Sequence, residues 1–557
     1  MRNFSNIELR EWQKKLKEKI KSAINTNKLV FLNSPTGSGK TLFSLLVGLE
    51  TKGKVLFLVR THNEYNPVFR DFLKINTDKA LKFSFLMGKP TACLFSEGDA
   101  STDDINCNLC SFKTSIIDLE VEKYPNEFVK ELKEQGIEKG FCPYFSLFND
   151  IGKADVIVLT YPYFFIDRFR ESLGIEFEDY LIVVDEAHNV EKIGDFEERT
   201  LSSHLLDMAI KQAKNEFVKF ILQRVKDELV RIASNVESYI RANEIPEISE
   251  DEIEVLKEEY EELREQMIKE RKIKRIYLGS VIKFYESYKD GEGLVPFIHK
   301  NKIVLKSIDI SNFLQILNDN DLTFLLMSGT LPPEDYIKKI WNVTRSLIYI
   351  NVEREIKEKV SGDYECILAI DVTSKYDSRG DIMWKKYGDY LLKVYYQAKA
   401  HVLSVFPSYE IMNRVMEFIQ VPKYLEDEDS EIETLYSFIK KFNKVIIGAV
   451  GRGKLTEGVE LVKNGRSLIS DVVIVGIPYP PPDDYTKLVA QKISERLGRK
   501  SDEYLYKIPT LMTVRQSIGR GIRGINDHVK VWLLDRRFDS LWWKKNLNCF
   551  NPKKTRL

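Results

Sequence analysis

Near-continuous apolar runs separated by amphipathic stretches dominate the first half of this chain. Strands that are buried on both faces of a parallel sheet show this pattern, because neither face meets water. We therefore predict an α/β unit. Its strands are predicted at residues 29–32, 54–60, 155–160, 181–184 and 324–327.

The pattern returns in the second half of the chain and predicts a second α/β unit. Its apolar runs cover residues 400–406, 445–450, 472–477 and 529–535. With 557 residues the chain is too long for one core, so several domains are expected.

Two stretches interrupt the α/β pattern. Residues 81–150 show poor apolar alternation, whereas residues 203–296 are highly helical. Within the second stretch the apolar positions step by 3, 4, 3 and 4, as in a heptad seam, and predict a helical hairpin. A solvated coiled coil with a spacer role stays an alternative. The seam consists of Ile253, Leu256, Tyr260, Leu263 and Met267.

An amphipathic helix is predicted over residues 5–25, ahead of the first strand. Arg10 and Gln13 lie one turn apart on this helix. Spacing alone favours a solvated face for them, although a glutamine amide can also pair with an adenine edge.

Composition narrows the class of protein. The chain has 43% hydrophobic and 30% charged residues and zero net charge, so nucleic-acid binding would have to use local patches. One such patch is Arg271, Lys272, Lys274 and Arg275. No apolar run approaches the length of a membrane span and the start of the chain has no signal core. We therefore expect a cytoplasmic protein that has no membrane partner.

A phosphate-binding loop follows the first strand. Its glycines let several backbone N–H groups point at one anion, and the lysine and threonine after them suit phosphate and Mg²⁺. The strict motif has glycine at the first position, where this chain has serine. The loop consists of Ser34, Pro35, Thr36, Gly37, Ser38, Gly39, Lys40 and Thr41.

Paired acids follow the run at 181–184. Asp185 is expected to hold Mg²⁺ together with Thr41, and Glu186 to polarise the attacking water. Alone this pair is weak evidence, but joined to the phosphate loop it indicates ATP hydrolysis. Ser328-Gly329-Thr330 ends another strand and suits coupling of the nucleotide state to a second domain, or is a plain turn.

Four of the six cysteines cluster in the first interruption. This favours a metal site over a disulfide framework. Zinc and a 4Fe–4S cluster both use four cysteines. Zinc sites usually contain two Cys-x₂-Cys pairs, so the single pair in this chain modestly favours an iron–sulfur cluster. The set is Cys93, Cys107, Cys110 and Cys142.

Near the end of the chain, Gln516-x-x-Gly519-Arg520-x-x-Arg523 is predicted to start a helix. Its arginines lie three residues apart and face one way. They are candidate arginine fingers for the γ-phosphate, although such pairs usually form surface ion pairs.

These motifs, in this order, resemble a superfamily-two helicase. The four-cysteine and helical insertions narrow the resemblance to the XPD family of iron–sulfur DNA helicases. Relatives of the DinG type share this layout and are the families most easily mistaken for it. The resemblance implies two RecA-like parallel-sheet motor domains with an inserted cluster domain and an inserted arch. The implied division gives the first motor domain residues 1–85, 151–203 and 298–340, the iron–sulfur domain 86–150, the arch 204–297 and the second motor domain 341–557.

The resemblance further implies ATP-driven 5′→3′ unwinding of duplex DNA, in repair such as nucleotide excision repair. ATP, Mg²⁺ and a 4Fe–4S cluster would be the cofactors, and single-stranded and forked DNA the partners of a monomer. Arg10, Gln13 and Glu457 match nucleotide-binding positions, and Lys89 matches a basic residue beside the cluster. Tyr144 and Phe145 suit stacking on bases or packing around the cluster. An RNA helicase and a DNA-binding scaffold without unwinding are the competing interpretations.

Overall fold

The computed structural model describes residues 4, 7–289, 291, 293–427, 432–457, 461–463, 466–498, 501–522 and 524–557. Strands are numbered in chain order as β1 (Leu29–Asn33), β2 (Val55–Val59), β3 (Phe83–Phe85), β4 (Val156–Thr160), β5 (Leu181–Val184), β6 (Arg199–Ser202), β7 (Ile240–Arg241), β8 (Leu294–His299), β9 (Lys302–Ser307), β10 (Thr323–Ser328), β11 (Ile348–Asn351), β12 (Asp363–Ala369), β13 (His401–Phe406), β14 (Lys423–Leu425), β15 (Ile446–Val450), β16 (Val462–Lys463), β17 (Arg466–Ser467), β18 (Ile469–Val475), β19 (His528–Leu534) and β20 (Lys553–Thr555).

The α-helices follow the same numbering. They are α1 (Glu11–Asn27), α2 (Lys40–Thr51), α3 (Tyr65–Ile75), α4 (Lys89–Ala92), α5 (Pro125–Lys139), α6 (Pro143–Ile151), α7 (Pro162–Phe165), α8 (Asp167–Ser172), α9 (Ser203–Gln212), α10 (Glu216–Ile232), α11 (Glu250–Lys269), α12 (Tyr277–Lys289), α13 (Ser311–Leu314), α14 (Glu334–Ile340), α15 (Val352–Glu355), α16 (Asp381–Gln397), α17 (Tyr409–Met416), α18 (Ile432–Ile439), α19 (Lys454–Glu457), α20 (Asp484–Leu497), α21 (Ile508–Gly519) and α22 (Leu541–Asn546).

Seven parallel strands form the first sheet, in the order β11-β1-β10-β5-β2-β4-β3. Its five central strands are buried along their whole length, which explains their continuous apolar runs. Because all strands run the same way, the loops after β1, β5 and β10 meet at one edge. This edge carries the phosphate loop, the paired acids and the Ser-Gly-Thr turn.

A second seven-stranded parallel sheet has the order β14-β15-β13-β18-β19-β12-β20. Two α/β units were predicted from the apolar runs, and both are present. No helix within the described part of the chain is both long enough and apolar enough to cross a membrane.

The two interruptions form separate structures on the first unit. Between β3 and β4 lie the cysteines, with α4–α6 and long irregular segments. Between β5 and β10 a helical layer, α9–α12, packs on a small antiparallel sheet of order β6-β9-β8-β7. The predicted hairpin is confirmed, since α11 buries Ile253, Leu256 and Leu263 of the seam and packs against α12.

The structure differs from the sequence-based expectations in three places. The implied start of the second motor domain at 341 is too early, because β11 pairs with β1 and completes the edge of the first sheet. Helix α1 begins at Glu11 rather than near residue 5, since the Arg10 backbone N–H is bound by Gln13 Oε1 at 2.8 Å. Gln516 lies near the end of α21, not at a helix start, and Arg520 caps it.

Candidate functional site

The phosphate loop joins β1 to α2 through two left-handed glycines. Gly37 and Gly39 have φ angles of 72° and 85°, which side-chain-bearing residues rarely adopt. Ser34, where the strict motif has glycine, is buried, and its Oγ lies 2.8 Å from Ser38 Oγ. The serine therefore stabilises the loop through a buried hydrogen bond within it.

Helix α1 holds the same loop from behind. Arg10 Nη1, Trp12 Nε1 and Gln13 Nε2 donate to the carbonyls of Gly37, Ser38 and Gly39 at 2.5, 3.0 and 3.0 Å. In a trans peptide the N–H points away from the carbonyl before it. The N–H groups of the next residues therefore face the opposite side, where a phosphate would lie. The expectation of a solvated face is wrong for Gln13, which is buried against the loop, whereas Arg10 is exposed while it binds the Gly37 carbonyl.

The Lys40 side chain is buried at the mouth of the loop. Its Nζ donates to the carbonyls of Ser34 at 3.3 Å and Pro35 at 3.4 Å and lies 3.8 Å from Glu186 Oε1. The loop lysine and the paired acids, 145 residues apart in sequence, thus share one small volume.

The paired acids occupy a constrained turn after β5. Glu186 has a φ of 44°, a left-handed conformation that is uncommon for a non-glycine residue. Its N–H donates to Asp185 Oδ1 at 2.9 Å. Tyr161, directly after β4, donates its hydroxyl to the Asp185 carbonyl and, at 3.2 Å, to the Glu186 carbonyl.

The pKa values of the two acids shift in opposite directions because their surroundings differ. Burial, then the neighbouring Glu186 charge, raises the pKa of Asp185. Burial also opposes ionisation of Glu186, but the Lys40 charge and a hydrogen bond from Ser328 outweigh it and lower its pKa. Burial lowers the pKa of His188 to about 4, so this ring is neutral at pH 7.

A hydrogen-bonded chain joins the acids to the turn after β10. Ser328 Oγ donates to Glu186 Oε2 at 3.0 Å and lies 2.6 Å from His188 Nδ1. Thr330 Oγ1 lies 3.2 Å from the same ring nitrogen. Since the serine proton goes to Glu186, His188 must donate from Nδ1, which fixes its tautomer.

Gly329, between these hydroxyls, lies against the phosphate loop. A Cβ at this position would come within 3.0 Å of Thr36 Oγ1 and 3.1 Å of Thr36 N. The Ser-Gly-Thr turn is therefore more than a connection, because it contacts both the acids and the loop.

The second sheet presents Gln516 and Arg520 to this site. Gln516 lines a cleft of about 300 Å³ between the two sheets, together with His188 and Asn189. Arg520 Nε donates to the carbonyl of Thr456 at 2.9 Å, and its charge helps lower the pKa of Glu186. Arg523 and the side chain of Glu457 lie outside the described residues.

The four predicted cysteines line one cavity in the inserted segment. Burial raises the pKa of Cys93, Cys107 and Cys142, the last to about 11. Among the described residues, no group of three or more His, Cys, Asp or Glu side chains is placed to hold a single metal ion.

Aromatic and basic residues complete this cavity. Lys89, Tyr144 and Phe145 line it, and Lys89 Nζ lies 5.8 Å from the centre of the Tyr144 ring. Ile268 and Ile273 of the helical insertion close its far side. Ile273 also exchanges backbone hydrogen bonds of 2.8 Å with Phe95 and Glu97.

Members of the predicted basic patch have partners, although Arg271, Lys272 and Lys274 stay exposed. Arg271 packs 5.7 Å from the ring centres of both Phe95 and Phe112, and Arg275 packs on Tyr277. Lys274 lies 3.8 Å from Glu97. Much of the patch is thus engaged in joining the helical insertion to the cysteine segment.

Two residues of this site were missed from the sequence. Trp12 was assigned only to the apolar face of its helix, and Tyr161 was given no role of its own. A signal existed for each, since Trp12 lies between Arg10 and Gln13, and Tyr161 directly follows a buried strand. Both are unremarkable core aromatics by pattern alone.

Comparison with known proteins identifies the same two units. A DEAD_2 family model matches residues 57–206, and a model described as "Helicase C-terminal domain" matches residues 391–551. A curated relative, "ATP-dependent DNA helicase XPD" of Sulfolobus acidocaldarius, is 53% identical over 99% of this chain and 100% of its own length. "ATP-dependent DNA helicase CHL1" of Kluyveromyces lactis is 22% identical over 88% of the chain and 71% of its own length.

Solved structures agree with this. One named "XPD_Helicase" superposes with a TM-score of 0.94 at 53% identity, covering 99% of this chain and 100% of its own. Another, "XPD_APO", gives 0.82 at 50% identity over 98% of this chain and all of its own. With a full-length relative at this identity and both family models in place, the chain belongs to the XPD family of ATP-dependent DNA helicases.

Proposed function

We propose that this chain hydrolyses ATP to translocate 5′→3′ on single-stranded DNA and to unwind forked duplexes. The observation that carries the proposal is that Lys40 and Ser328 both reach Glu186 at one edge of the first sheet, while the charge of Arg520 from the second unit helps to lower the pKa of Glu186. Groups from both sheets that converge on one phosphate site can couple hydrolysis to relative movement of the sheets.

Each predicted site residue has a role in the proposed chemistry. Lys40 binds the outer phosphates, while Thr41 and Asp185 hold Mg²⁺ and Glu186 orients the attacking water. Gln516, Arg520 and Arg523 approach the γ-phosphate from the second unit. Arg10, Gln13 and Glu457 contact the nucleotide, and the backbone N–H groups of residues 34–41 surround its phosphates. When bound, Mg²⁺ neutralises charge that develops on the phosphates.

For the cysteine cavity we propose a 4Fe–4S cluster rather than zinc. Zinc would need all four sulfurs at about 2.3 Å from one point. A cluster of four irons is larger, so it suits cysteines that are spread around a cavity. Cys93, Cys107, Cys110 and Cys142 would hold it as thiolates. Removing the metal would leave four half-buried thiols in the cavity.

The DNA would pass beside this cavity. The irregular cysteine segment and the helical insertion contact each other and can frame one strand. Loops at residues 61–64, 160–161 and 451–457 would alternate their grip on its backbone, and Tyr144 or Phe145 would stack on bases. We propose a cytoplasmic monomer that acts in DNA repair such as nucleotide excision repair.

A strand-displacement assay tests the proposal. Duplexes with 5′ or 3′ tails, in DNA and in RNA, are incubated with ATP and Mg²⁺, and we expect unwinding of the 5′-tailed DNA. Lys40→Ala should abolish both ATP hydrolysis and unwinding, while Lys52→Ala, just beyond α2, should retain both. Unwinding by Lys40→Ala, or a preference for 3′ tails or RNA, would contradict the assignment. Iron and sulfide analysis of the purified protein separates a cluster from zinc.

A further inference from the structure

Tyr161 is a buried tyrosine at the edge of the first sheet where the site residues meet. It directly follows β4, and only 4% of its surface is exposed. Its backbone N–H donates to the carbonyl of Val59, the last residue of β2, at 2.9 Å. The residue is therefore fixed to the ends of two neighbouring strands.

The side chain reaches beyond the adjacent strand. In the sheet order β5-β2-β4, strand β2 separates Tyr161 from the acids that follow β5. Neighbouring strands lie about 4.8 Å apart, so the ring must cross the end of β2 to reach them. Its hydroxyl donates to the carbonyls of both Asp185 and Glu186.

These two carbonyls belong to the turn that aims the acids. Glu186 has a left-handed backbone, a conformation that persists only where the surroundings hold it. Burial raises the pKa of Tyr161 well above its ordinary value, so the hydroxyl keeps its proton and stays a donor. One phenol thus fixes the peptide groups on both sides of the Glu186 Cα.

The same ring borders a loop expected to grip DNA. Residues 61–64 begin directly after the end of β2 that Tyr161 crosses. The Glu64 carboxylate accepts from the Arg60 N–H at 3.0 Å and from the Thr61 hydroxyl at 3.3 Å, which ties this loop to the end of β2. Movement of the 61–64 loop on DNA would therefore act on the strand end to which Tyr161 is bonded.

We propose that Tyr161 is a positioning residue for ATP hydrolysis, which holds the Asp185–Glu186 turn and transmits DNA occupancy of the neighbouring loops to Glu186. Its hydroxyl contacts the carbonyls of the turn, so it acts on Glu186 through the turn. The transmission part rests on the proposed function, whereas the positioning part needs only ATP hydrolysis.

Tyr161→Phe removes the hydroxyl and keeps the ring, and steady-state ATP hydrolysis is measured with and without single-stranded DNA. We expect kcat without DNA to fall about tenfold, equivalent to about 1.4 kcal/mol, with the KM for ATP within twofold of wild type. The ratio of stimulated to unstimulated rate should fall at least threefold. Tyr285→Phe is the matched control, because the Tyr285 hydroxyl is also buried and donates to the Pro246 carbonyl at 3.1 Å.

A double-mutant cycle separates positioning from a general structural effect. If Tyr161 acts through Glu186, then Tyr161→Phe should change the residual rate of Glu186→Gln by less than twofold. Single-turnover rate constants are used, since they do not depend on the folded fraction. An unchanged kcat in Tyr161→Phe, or a tenfold loss in both backgrounds, overturns the proposal.

The two proposals fail in different ways. If wild-type protein hydrolyses ATP without stimulation by DNA, the proposed function fails, but the kcat comparison still tests the positioning role. If DNA stimulates wild type and Tyr161→Phe equally, the transmission role is wrong while the proposed function stands.

Discussion

Replacing Ser328 by alanine tests whether the Ser-Gly-Thr turn orients the acid that activates water. The serine hydroxyl donates to Glu186 Oε2 at 3.0 Å and accepts from His188 Nδ1 at 2.6 Å. The same serine oxygen also accepts a hydrogen bond from the backbone N–H of Thr330 at 3.1 Å. Alanine therefore removes the centre of a buried chain of three hydrogen bonds.

The size of the effect follows from the charge on Glu186. A hydrogen bond to an ionised group contributes about 1.5–3 kcal/mol. If all of it is lost in the transition state, kcat falls by roughly 10- to 150-fold. In the proposed site the ATP phosphates are held by Lys40 and the loop amides, which the substitution does not touch, so the KM for ATP should stay within about threefold.

Phosphate release at increasing ATP, with saturating single-stranded DNA, gives both constants. Ser84→Ala is a matched control, because Ser84 is equally buried in β3 of the same sheet and its Oγ has no hydrogen-bond partner in the described structure. The control should keep wild-type kcat. A kcat for Ser328→Ala within twofold of the control would refute the reasoning, as would a loss confined to KM.

Three further changes test other parts of the structure. Gly329→Ala puts a Cβ 3.0 Å from Thr36 Oγ1. It should raise the KM for ATP severalfold in the phosphate-release assay, since overpacking costs about 1–3 kcal/mol. An unchanged KM would show that the phosphate loop shifts to accept the Cβ without loss of ATP binding. Cys110→Ser should lose bound iron and visible absorption while far-UV circular dichroism of the motor units is kept, and full iron retention would remove Cys110 from the ligand set. Cys549→Ser breaks the disulfide to Cys366, which spans 183 residues, and should lower the unfolding free energy by about 2–4 kcal/mol in denaturant titrations without changing iron content; reduced wild type should then unfold like the variant.

The central strands of the sheets were predictable because strands buried on both faces consist of near-continuous apolar residues. Strand β5 has the predicted bounds, β1 and β4 differ from prediction by one residue at one end, and β2 and β10 differ by one residue at each end. Short edge strands were not found, because a run of only four residues such as β11 becomes a strand only when β1 offers its hydrogen bonds. The small antiparallel sheet under the helical insertion was missed for the same reason.

Site residues followed a similar division. Motif residues such as Lys40, Asp185 and the cysteines carry their chemistry in their type and spacing, so they were found directly. Trp12 and Tyr161 act through one hydrogen-bonding group on an apolar ring, and pattern analysis counts such residues as core. The partners of the basic patch were also hidden, because Phe95 and Phe112 lie far from Arg271 in sequence.

The sequence by itself determined the two α/β units and the two insertions, and it supplied the candidate groups for binding phosphate and metal. Burial of a strand and the chemistry of a side chain depend on residue type and spacing, so both can be predicted from the sequence. Only the tertiary structure decided which groups meet. Parallel pairing brings the ends of β1, β5 and β10 to one edge, and there Ser328 reaches Glu186, Gly329 reaches Thr36 and Tyr161 crosses β2 to hold the acid turn. Contacts between such distant segments depend on strand order, which no single run of residues specifies.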